Sequence, residues 1–165
     1  MAEYEQYSVE NEYYTPKYIF DALGVIFDMD VAAPVDRSFC HVPAKLFITS
    51  QIITKPWVGF VWCNPPWSGR GNKDPWIDRM IEHGDGILLT PDRTSAPWWQ
   101  KVASKADYIL QVNGKIKFIK QDGITANQPG TGTTLFAFGD MAKMALAQAY
   151  KNKLGVLFAP LRFTP

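Results

Sequence analysis

The sequence predicts an α/β protein: one domain with a mostly parallel β-sheet, flanked by helices, and with an antiparallel hairpin near the C-terminus. Short apolar segments of strand length alternate along the chain with segments of helical pattern, as in proteins whose strands are joined by helices. The 165 residues are 47% hydrophobic and 20% charged, enough to build a single buried core. No long linker or internal repeat interrupts the chain, so we expect an N-terminal arm over residues 1–13 and one domain over residues 14–165.

Proline and glycine mark the ends of the predicted helices. Thr15 is a predicted N-cap, Pro16 occupies the first helical position, and Gly24 ends this helix. Three further helices are predicted: one from Asp74-Pro75 to about Gly84, one over residues 95–105, and one that begins at Asp140.

Apolar runs and alternating patterns predict the strands. Residues 25–33 alternate, and residues 58–63 form an apolar run that stops abruptly at Asn64. The Asn113-Gly114 turn is expected to join residues 107–112 and 115–119 into the antiparallel hairpin. Further strands are predicted over residues 86–90, 134–138 and 155–159, with a mobile loop over residues 121–133.

Composition excludes several classes of protein. A formal charge of +1 excludes a polycation that holds nucleic acid by bulk charge, and no apolar run approaches the ~20 residues of a membrane span. Cys40 and Cys63 are too few for a disulfide framework, and the two histidines lack metal-ligand spacing, so we expect no metal site. The chain is therefore predicted to work in a reducing cytoplasm, as a monomer or homodimer.

Asn64-Pro65-Pro66-Trp67 carries the clearest chemical signal, because it follows directly on an apolar strand. The side-chain carbonyl of Asn64 and the backbone carbonyl of Pro65 can each accept a hydrogen bond from an exocyclic amino group. Such bonding favours a pyramidal nitrogen whose lone pair is free to attack an electrophile. The prolines fix φ and preorganise the turn, and Trp67 offers a face for stacking a base. The alternative is that the prolines merely end a strand.

A second polar cluster follows the first predicted strand. Asp30 lies beside the small residues Ala32 and Ala33, which let a ligand approach the backbone while the carboxylate accepts hydrogen bonds. In parallel sheets, ligands bind beyond the carboxyl ends of the strands, where both clusters lie. An ordinary strand end with a solvated aspartate is the alternative. The chain contains neither the G-x-G-x-x-G pattern nor a P-loop.

Five segments in order resemble the phage-type DNA N6-adenine methyltransferases, over about residues 11–139. They are Tyr14-Thr15-Pro16, Asp30-Val31-Ala32-Ala33, Asn64-Pro65-Pro66-Trp67-Ser68, Leu89 to Thr94, and Gly114 to Phe118. The resemblance implies a methyltransferase-like (Rossmann-like) sheet, S-adenosylmethionine as cofactor, and DNA as partner. If the protein is phage-encoded, it implies the host cytoplasm as its location.

The resemblance also implies roles for individual residues. It makes Asn64, Pro65, Pro66 and Trp67 the catalytic motif, and Tyr14, Thr15, Pro16, Asp30, Ala32 and Ala33 the cofactor-binding residues. The chain departs from many methyltransferases at Val31-Ala32-Ala33, where they carry a Gly-x-Gly.

The residues expected to contact DNA are Ser68, Arg70, Lys73, Arg93, Lys115 and Lys117. Arg70 and Lys73 lie in the loop after the catalytic motif, where an extruded nucleotide would pass. Lys115 and Lys117 can bind phosphates, although lysines on an edge strand also block strand addition. Trp98-Trp99 offers a further stacking surface, but we expect this pair to pack in the core.

Two classes of function remain open at this stage. The first is an enzyme that transfers a methyl group from S-adenosylmethionine to a flipped-out adenine, or in a variant to RNA, cytosine N4 or a protein amide. The second is a catalytically inactive, methyltransferase-like module that binds nucleic acid or protein. The short chain and the missing Gly-x-Gly favour the second class, whereas the intact Asn64-Pro65-Pro66-Trp67 favours the first.

Overall fold

The computed structural model describes residues 13–49, 54–67, 73–127 and 130–163. The predicted arm therefore lies outside the described residues, apart from Tyr13. Within them, seven strands form one sheet and four helices cover it. The strands are β1 (Phe27–Ala33), β2 (Ala44–Thr49), β3 (Val61–Cys63), β4 (Gly86–Pro91), β5 (Tyr108–Val112), β6 (Thr133–Phe138) and β7 (Gly155–Phe158); the helices are α1 (Lys17–Leu23), α2 (Asp74–His83), α3 (Pro97–Lys105) and α4 (Asp140–Lys151).

The sheet has the order β2-β1-β3-β4-β6-β5-β7, and its first four strands are parallel. In β3, Trp62 pairs with Asp30 of β1 on one side and with Ile87 of β4 on the other. The carboxyl ends of β1, β3 and β4 therefore meet at one edge of the sheet. The predicted α/β class and mostly parallel core are confirmed.

Antiparallel pairing is confined to the C-terminal half, but it does not use the hairpin that the sequence predicts. β6 pairs with β4 and β5, and β7 pairs with β5. Because both edges of β5 are occupied by these distant strands, residues 115–119 cannot pair with it. They form no strand, and Ile119 instead makes isolated bridges to Tyr14 and Thr125.

Two apolar clusters lie on opposite faces of the sheet. Helices α1 and α4 pack over the cluster that contains Trp62, and α2 and α3 pack over the cluster that contains Val61 and Cys63. All three residues of β3 are buried, as their alternation between two covered faces requires. Phe20 of α1 meets the Trp62 ring edge-on, with 4.9 Å between centroids, a contact worth ~0.5–1.5 kcal/mol beyond the buried area.

The helix stops predicted at glycine are confirmed. Gly24 and Gly84 have φ of 65° and 70°, and each donates its N–H to the carbonyl of the residue four positions earlier. The predicted start of α1 is wrong by one position: the helix begins at Lys17 with Pro16 as N-cap, and Thr15 does not cap it. The Thr15 hydroxyl instead accepts a hydrogen bond from Asn64. None of the described helices is long and apolar enough to cross a membrane.

A tight contact fixes the chain where it enters β3. Asp28 accepts hydrogen bonds from the Phe60 amide at 2.9 Å and from Lys45 Nζ at 2.8 Å. Gly59 has a φ of 73°, and a Cβ on it would lie 2.3 Å from Asp28 Oδ2. A side chain at this position therefore strains the backbone and collides with the carboxylate.

We predict that Gly59→Ala destabilises the protein far more than Gly84→Ala. Both glycines have positive φ, which costs alanine about 1–2 kcal/mol, but a Cβ on Gly84 meets nothing within 4 Å. At Gly59, the Cβ also breaks the Asp28–Phe60 hydrogen bond, and this adds about 1.5–3 kcal/mol to the loss of stability. Urea denaturation of both variants measures the difference, and equal midpoints would contradict the proposed contact.

Candidate active site

The turn that follows β3 holds Asn64 by both ends of its side-chain amide. Trp67 Nε1–H donates to Asn64 Oδ1 at 3.2 Å, and Asn64 Nδ2 donates to Thr15 Oγ1 at 3.3 Å. An indole N–H can only donate a hydrogen bond, so the atom it meets must be the amide oxygen. The Trp67 indole therefore defines one orientation of this amide, and the Thr15 hydroxyl, which can donate or accept, holds its other end.

The two prolines of the turn restrict its backbone. Pro65 is buried and Pro66 is partly buried, and each has its φ fixed by its own ring. Asn64 follows the buried Cys63 directly, so the position of its side chain is set by β3, an inner strand of the sheet. The site is therefore rigid from the strand to Trp67.

A cavity of about 470 Å³ opens beside this turn. Its walls are mainly aromatic and amide groups, with one lysine. The lining residues are Tyr13, Asn64, Trp67, Phe118, Lys120, Ala126 and Asn127. Its volume falls in the range of small-molecule sites, and its flat apolar walls with a few polar groups suit a planar heterocycle.

Distant segments are brought to this cavity by the bridge between Tyr14 and Ile119. Their backbones exchange two hydrogen bonds, of 2.8 and 2.9 Å, and the Tyr14 hydroxyl donates to the carbonyl of Asp36 at 2.8 Å. The bridge places Tyr13 next to the neighbours of Ile119, which are Phe118 and Lys120. Tyr14 therefore ties three segments of the chain together around the site.

Sequence reasoning missed part of the cavity wall. The sequence predicts that Tyr13 belongs to the N-terminal arm, Phe118 to a hairpin strand, and Ala126 and Asn127 to a mobile loop, yet all four line the cavity. Only Phe118 carried a signal, because it lies in one of the five segments of the resemblance. The contact of Tyr13 with the site depends on a bridge between residues more than 100 positions apart, which no local pattern reveals.

The two adjacent tryptophans have different surroundings. Trp99 is buried in the core and donates to Thr134 Oγ1 at 3.2 Å, as the core interpretation predicts. Trp98 instead packs against Trp67, with 5.5 Å between ring centroids. Lys73 Nζ lies 5.3 Å from the Trp98 centroid, within the range of a cation–π contact. Trp98 and Lys73 therefore support the ring of Trp67 from outside the cavity.

Asp30 lies in the middle of β1 and not after the first strand as predicted, and it is 98% buried, where the sequence alone also allowed a solvated aspartate. Its Oδ1 accepts a hydrogen bond from the Ala32 amide at 3.2 Å, the only one it receives from the described part of the chain. Burial raises the pKa of Asp30 to about 7, although the Ala32 hydrogen bond opposes that rise. A buried carboxylate with an unused oxygen is costly for the fold, and it is suited to a ligand that brings donors.

The predicted DNA contacts lie outside the cavity or outside the described residues. Ser68 and Arg70 are not among the described residues. Lys73 is largely covered beside Trp98, with 16% of its side chain exposed. Arg93, Lys115 and Lys117 are exposed, and Lys115 and Lys117 share a segment with the cavity residue Phe118.

Cys63, next to Asn64, is fully buried in the core, and burial raises the pKa of its thiol well above the usual value. A thiol held protonated is a poor nucleophile. Cys63 instead fills space between β3 and helices α2 and α3.

The sheet with its turn at the carboxyl end of β3 is consistent with a methyltransferase-like fold. The profile of the DNA N-6-adenine-methyltransferase (Dam) family matches residues 5–156. This match covers most of the chain, so the protein belongs to that family. Membership supports DNA adenine methylation in general, with DNA as the substrate. No curated protein and no solved structure matches the chain.

We predict that Asp30→Asn stabilises the fold, and more so at high pH. The folded carboxyl, with a pKa of about 7, keeps its proton to higher pH than the unfolded one, whose ordinary value is 3.8. The free energy of unfolding therefore falls as the pH rises from about 4 to about 7, and this loss is absent in the variant. Urea denaturation of the wild type and the variant at about pH 4.5 and about pH 8.5 tests this. The other titrating groups contribute equally to the free energy of unfolding of both proteins, so their contributions cancel in the difference. A gain in the free energy of unfolding that is the same at both pH values would contradict the prediction.

Proposed function

We propose that the protein is a DNA adenine N6-methyltransferase that transfers a methyl group from S-adenosylmethionine to the amino group of a flipped-out adenine. The observation that carries the proposal is the cavity bordered by Asn64 and Trp67, where an amide oxygen and an indole meet at one flat-walled site. A base must leave the duplex to reach such a cavity. The family of the chain supports adenine in DNA as the target.

In this proposal, the catalytic motif holds and orients the amino nitrogen. Asn64 Oδ1 and the Pro65 carbonyl each accept one N–H, which withdraws the nitrogen lone pair from the ring and directs it outward. The rigid turn supplies this alignment before the reaction begins, so little ordering remains to be done. Trp67 stacks against the base, a contact worth ~1–3 kcal/mol. Pro66 keeps Trp67 at a fixed distance from Asn64.

Residues in the second half of β1, from Asp30 to Ala33, fit S-adenosylmethionine as the cofactor, which supplies an electrophilic methyl group on sulfur. Its ammonium and ribose hydroxyl groups are donors, and Asp30 has an oxygen to which no described residue donates. Ala32 and Ala33 add little bulk beside it. We assign Tyr14, Thr15 and Pro16 to the same site, since Thr15 contacts Asn64 and brings this segment beside the motif.

We assign contacts to the DNA backbone to the residues that the resemblance implies: Ser68, Arg70, Lys73, Arg93, Lys115 and Lys117. Lys115 and Lys117 are exposed in the same segment as the cavity residue Phe118, which supports their binding to phosphates of the strand from which the base is extruded. These contacts orient the DNA without reading its sequence.

We expect Asn64→Ala to lower methyl transfer to DNA by at least ~100-fold, because it removes a preorganised acceptor for the reacting amine. Tritiated S-adenosylmethionine is incubated with unmethylated DNA, RNA and a protein extract, and the digested DNA is analysed for N6-methyladenine. Asn152→Ala is the control, because Asn152 contacts the carbonyl of Ala22 and does not line the cavity. Label confined to RNA or protein would redirect the proposal to those acceptors. A folded protein that binds the cofactor and labels nothing would refute the proposal and favour a binding module.

We also expect Asp30→Asn to weaken S-adenosylmethionine binding by at least ~10-fold while leaving the protein folded. The amide retains an oxygen for the Ala32 N–H but replaces the free carboxylate oxygen with a donor, which faces the donors of the cofactor. Asp28→Asn is the matched control, two residues earlier in β1, since the carboxylate of Asp28 is already paired with Lys45 and Phe60. Titration calorimetry gives the affinities. Equal weakening by both substitutions would contradict the assignment of Asp30.

A further inference from the structure

Much of the cavity wall is one short loop, residues 118–127, which we call the wall loop. The residues that line the cavity from this loop are Phe118, Lys120, Ala126 and Asn127. Its two arms are joined by backbone hydrogen bonds, from the Ala126 N–H to the Phe118 carbonyl at 2.7 Å and from the Lys120 N–H to the Ile124 carbonyl at 2.9 Å. Because the arms are joined, a displacement of the tip of the loop would displace the lining residues as well.

One backbone bridge ties the first arm of the wall loop to the rest of the domain. Ile119 and Tyr14 exchange two hydrogen bonds there, of 2.8 and 2.9 Å. The two bonds of such a pair lie side by side, so they hold the arm in place but resist a tilt of the loop about the bridge only weakly. A second contact, away from the bridge, is needed to fix the tilt.

The ring of Phe39 makes this second contact, at the tip of the wall loop. Gly123 has a φ of 80°, and a Cβ on it would lie 2.7 Å from both Cε1 and Cζ of Phe39. The ring therefore fills the space of a side chain and packs on the bare backbone of the glycine. Phe39 also meets the ring of Tyr14 edge-on, with 6.1 Å between centroids. It thus links the tip of the loop to the residue that forms the bridge.

Phe39 is presented to the wall loop by a braced turn that follows β1. The Asp36 carboxylate accepts hydrogen bonds from the amide and the hydroxyl of Ser38, at 2.9 and 2.6 Å. The Asp36 carbonyl accepts from the Tyr14 hydroxyl at 2.8 Å. Phe39 is partly buried, and the lining of the cavity does not include it. Its influence on the cavity therefore passes through the wall loop.

We propose that Phe39 is a positioning residue for the cavity: through Gly123, its ring sets the tilt of the wall loop and hence the placement of Phe118 and Lys120. This inference rests on the proposed function, in which the cavity receives the extruded base. Stacking on a base depends steeply on distance, since a gap of about 0.5–1 Å forfeits roughly a quarter to a half of the attraction between two atoms. Phe39 does not touch the base.

The first test places a methyl group between the tip of the loop and the ring. Gly123→Ala is compared with Gly84→Ala, because both glycines have positive φ, but a Cβ on Gly84 meets nothing within 4 Å. The two variants therefore bear a similar backbone cost. We expect Gly123→Ala to lower kcat for methyl transfer to DNA about tenfold, and Gly84→Ala to leave it within about twofold.

Two details make this comparison decisive. Rates are expressed per mole of protein that binds S-adenosylmethionine, so that a loss of folded protein does not count as a loss of kcat. The KM for DNA should change less than about twofold in Gly123→Ala, because contacts to phosphates outside the cavity set it. Equal kcat in the two variants, or a raised KM with unchanged kcat, would overturn the inference.

A second test removes the ring. We expect Phe39→Ala to lower kcat about tenfold, because the tip loses its support, and Phe39→Leu, which keeps an apolar side chain against the tip, to retain at least about half. Without the ring, a Cβ at position 123 has room, so Phe39→Ala combined with Gly123→Ala should have the kcat of Phe39→Ala alone. Losses that multiply in the double variant would show that the two residues act independently, and the inference would fail.

A spectroscopic readout separates this inference from the proposed function. The backbone amides of Lys120, Ala126 and Asn127 give signals in ¹⁵N–¹H spectra, and these should shift in Phe39→Ala and in Gly123→Ala, whereas the signals of α4 should not. Unchanged wall-loop signals would overturn the inference whether or not the protein methylates DNA. Absence of methyl transfer by a folded wild type that binds the cofactor would refute the proposed function itself. An active wild type with unaltered kinetics in Phe39→Ala would refute the role of Phe39 alone.

Discussion

The site depends on one constraint, which is the burial of β3 between β1 and β4. This strand has only three residues, yet all are buried, since Val61 and Cys63 pack under α2 and α3 and Trp62 packs under α1 and α4. Both of its edges are hydrogen-bonded to parallel neighbours. A strand held on four sides cannot shift its register, so the residue that follows it has a fixed position. That residue is Asn64, and β3 together with the two prolines after it fixes its backbone.

The rest of the site is assembled around this fixed point by long-range contacts. Tyr14 joins the start of the domain to residues near 119, and Thr15, its neighbour, reaches Asn64. One short segment therefore builds part of the cavity wall through Tyr13 and contacts the amide of the motif. The position of α1 is set in the same way, because this segment leads directly into it. The N-terminal segment is thus part of the site.

Local signals in the sequence predicted most of the elements and the main polar residues of the site. Gly24 and Gly84 end their helices, and Asn64 follows a buried strand, because these features depend on the conformational limits of single residues. The predicted hairpin failed for the opposite reason. The Asn113-Gly114 turn is compatible with a hairpin, and Gly114 does have a positive φ, but β6 and β7 compete for the edges of β5. Competition between partners far apart in sequence cannot be judged from a local pattern.

Asp28 and Asp30 lie two residues apart in β1, but their carboxylates have different surroundings. The sequence offers two aspartates that look alike, and the structure gives them opposite environments. Asp28 is paired with Lys45 and the Phe60 amide, and these bonds lower the pKa of its carboxyl. Asp30 is buried, only the Ala32 amide donates to it among the described residues, and burial raises the pKa of its carboxyl. A fold under selection for stability alone would replace such a group with an apolar residue, and this cost supports our proposal that Asp30, in the middle of β1, binds the cofactor.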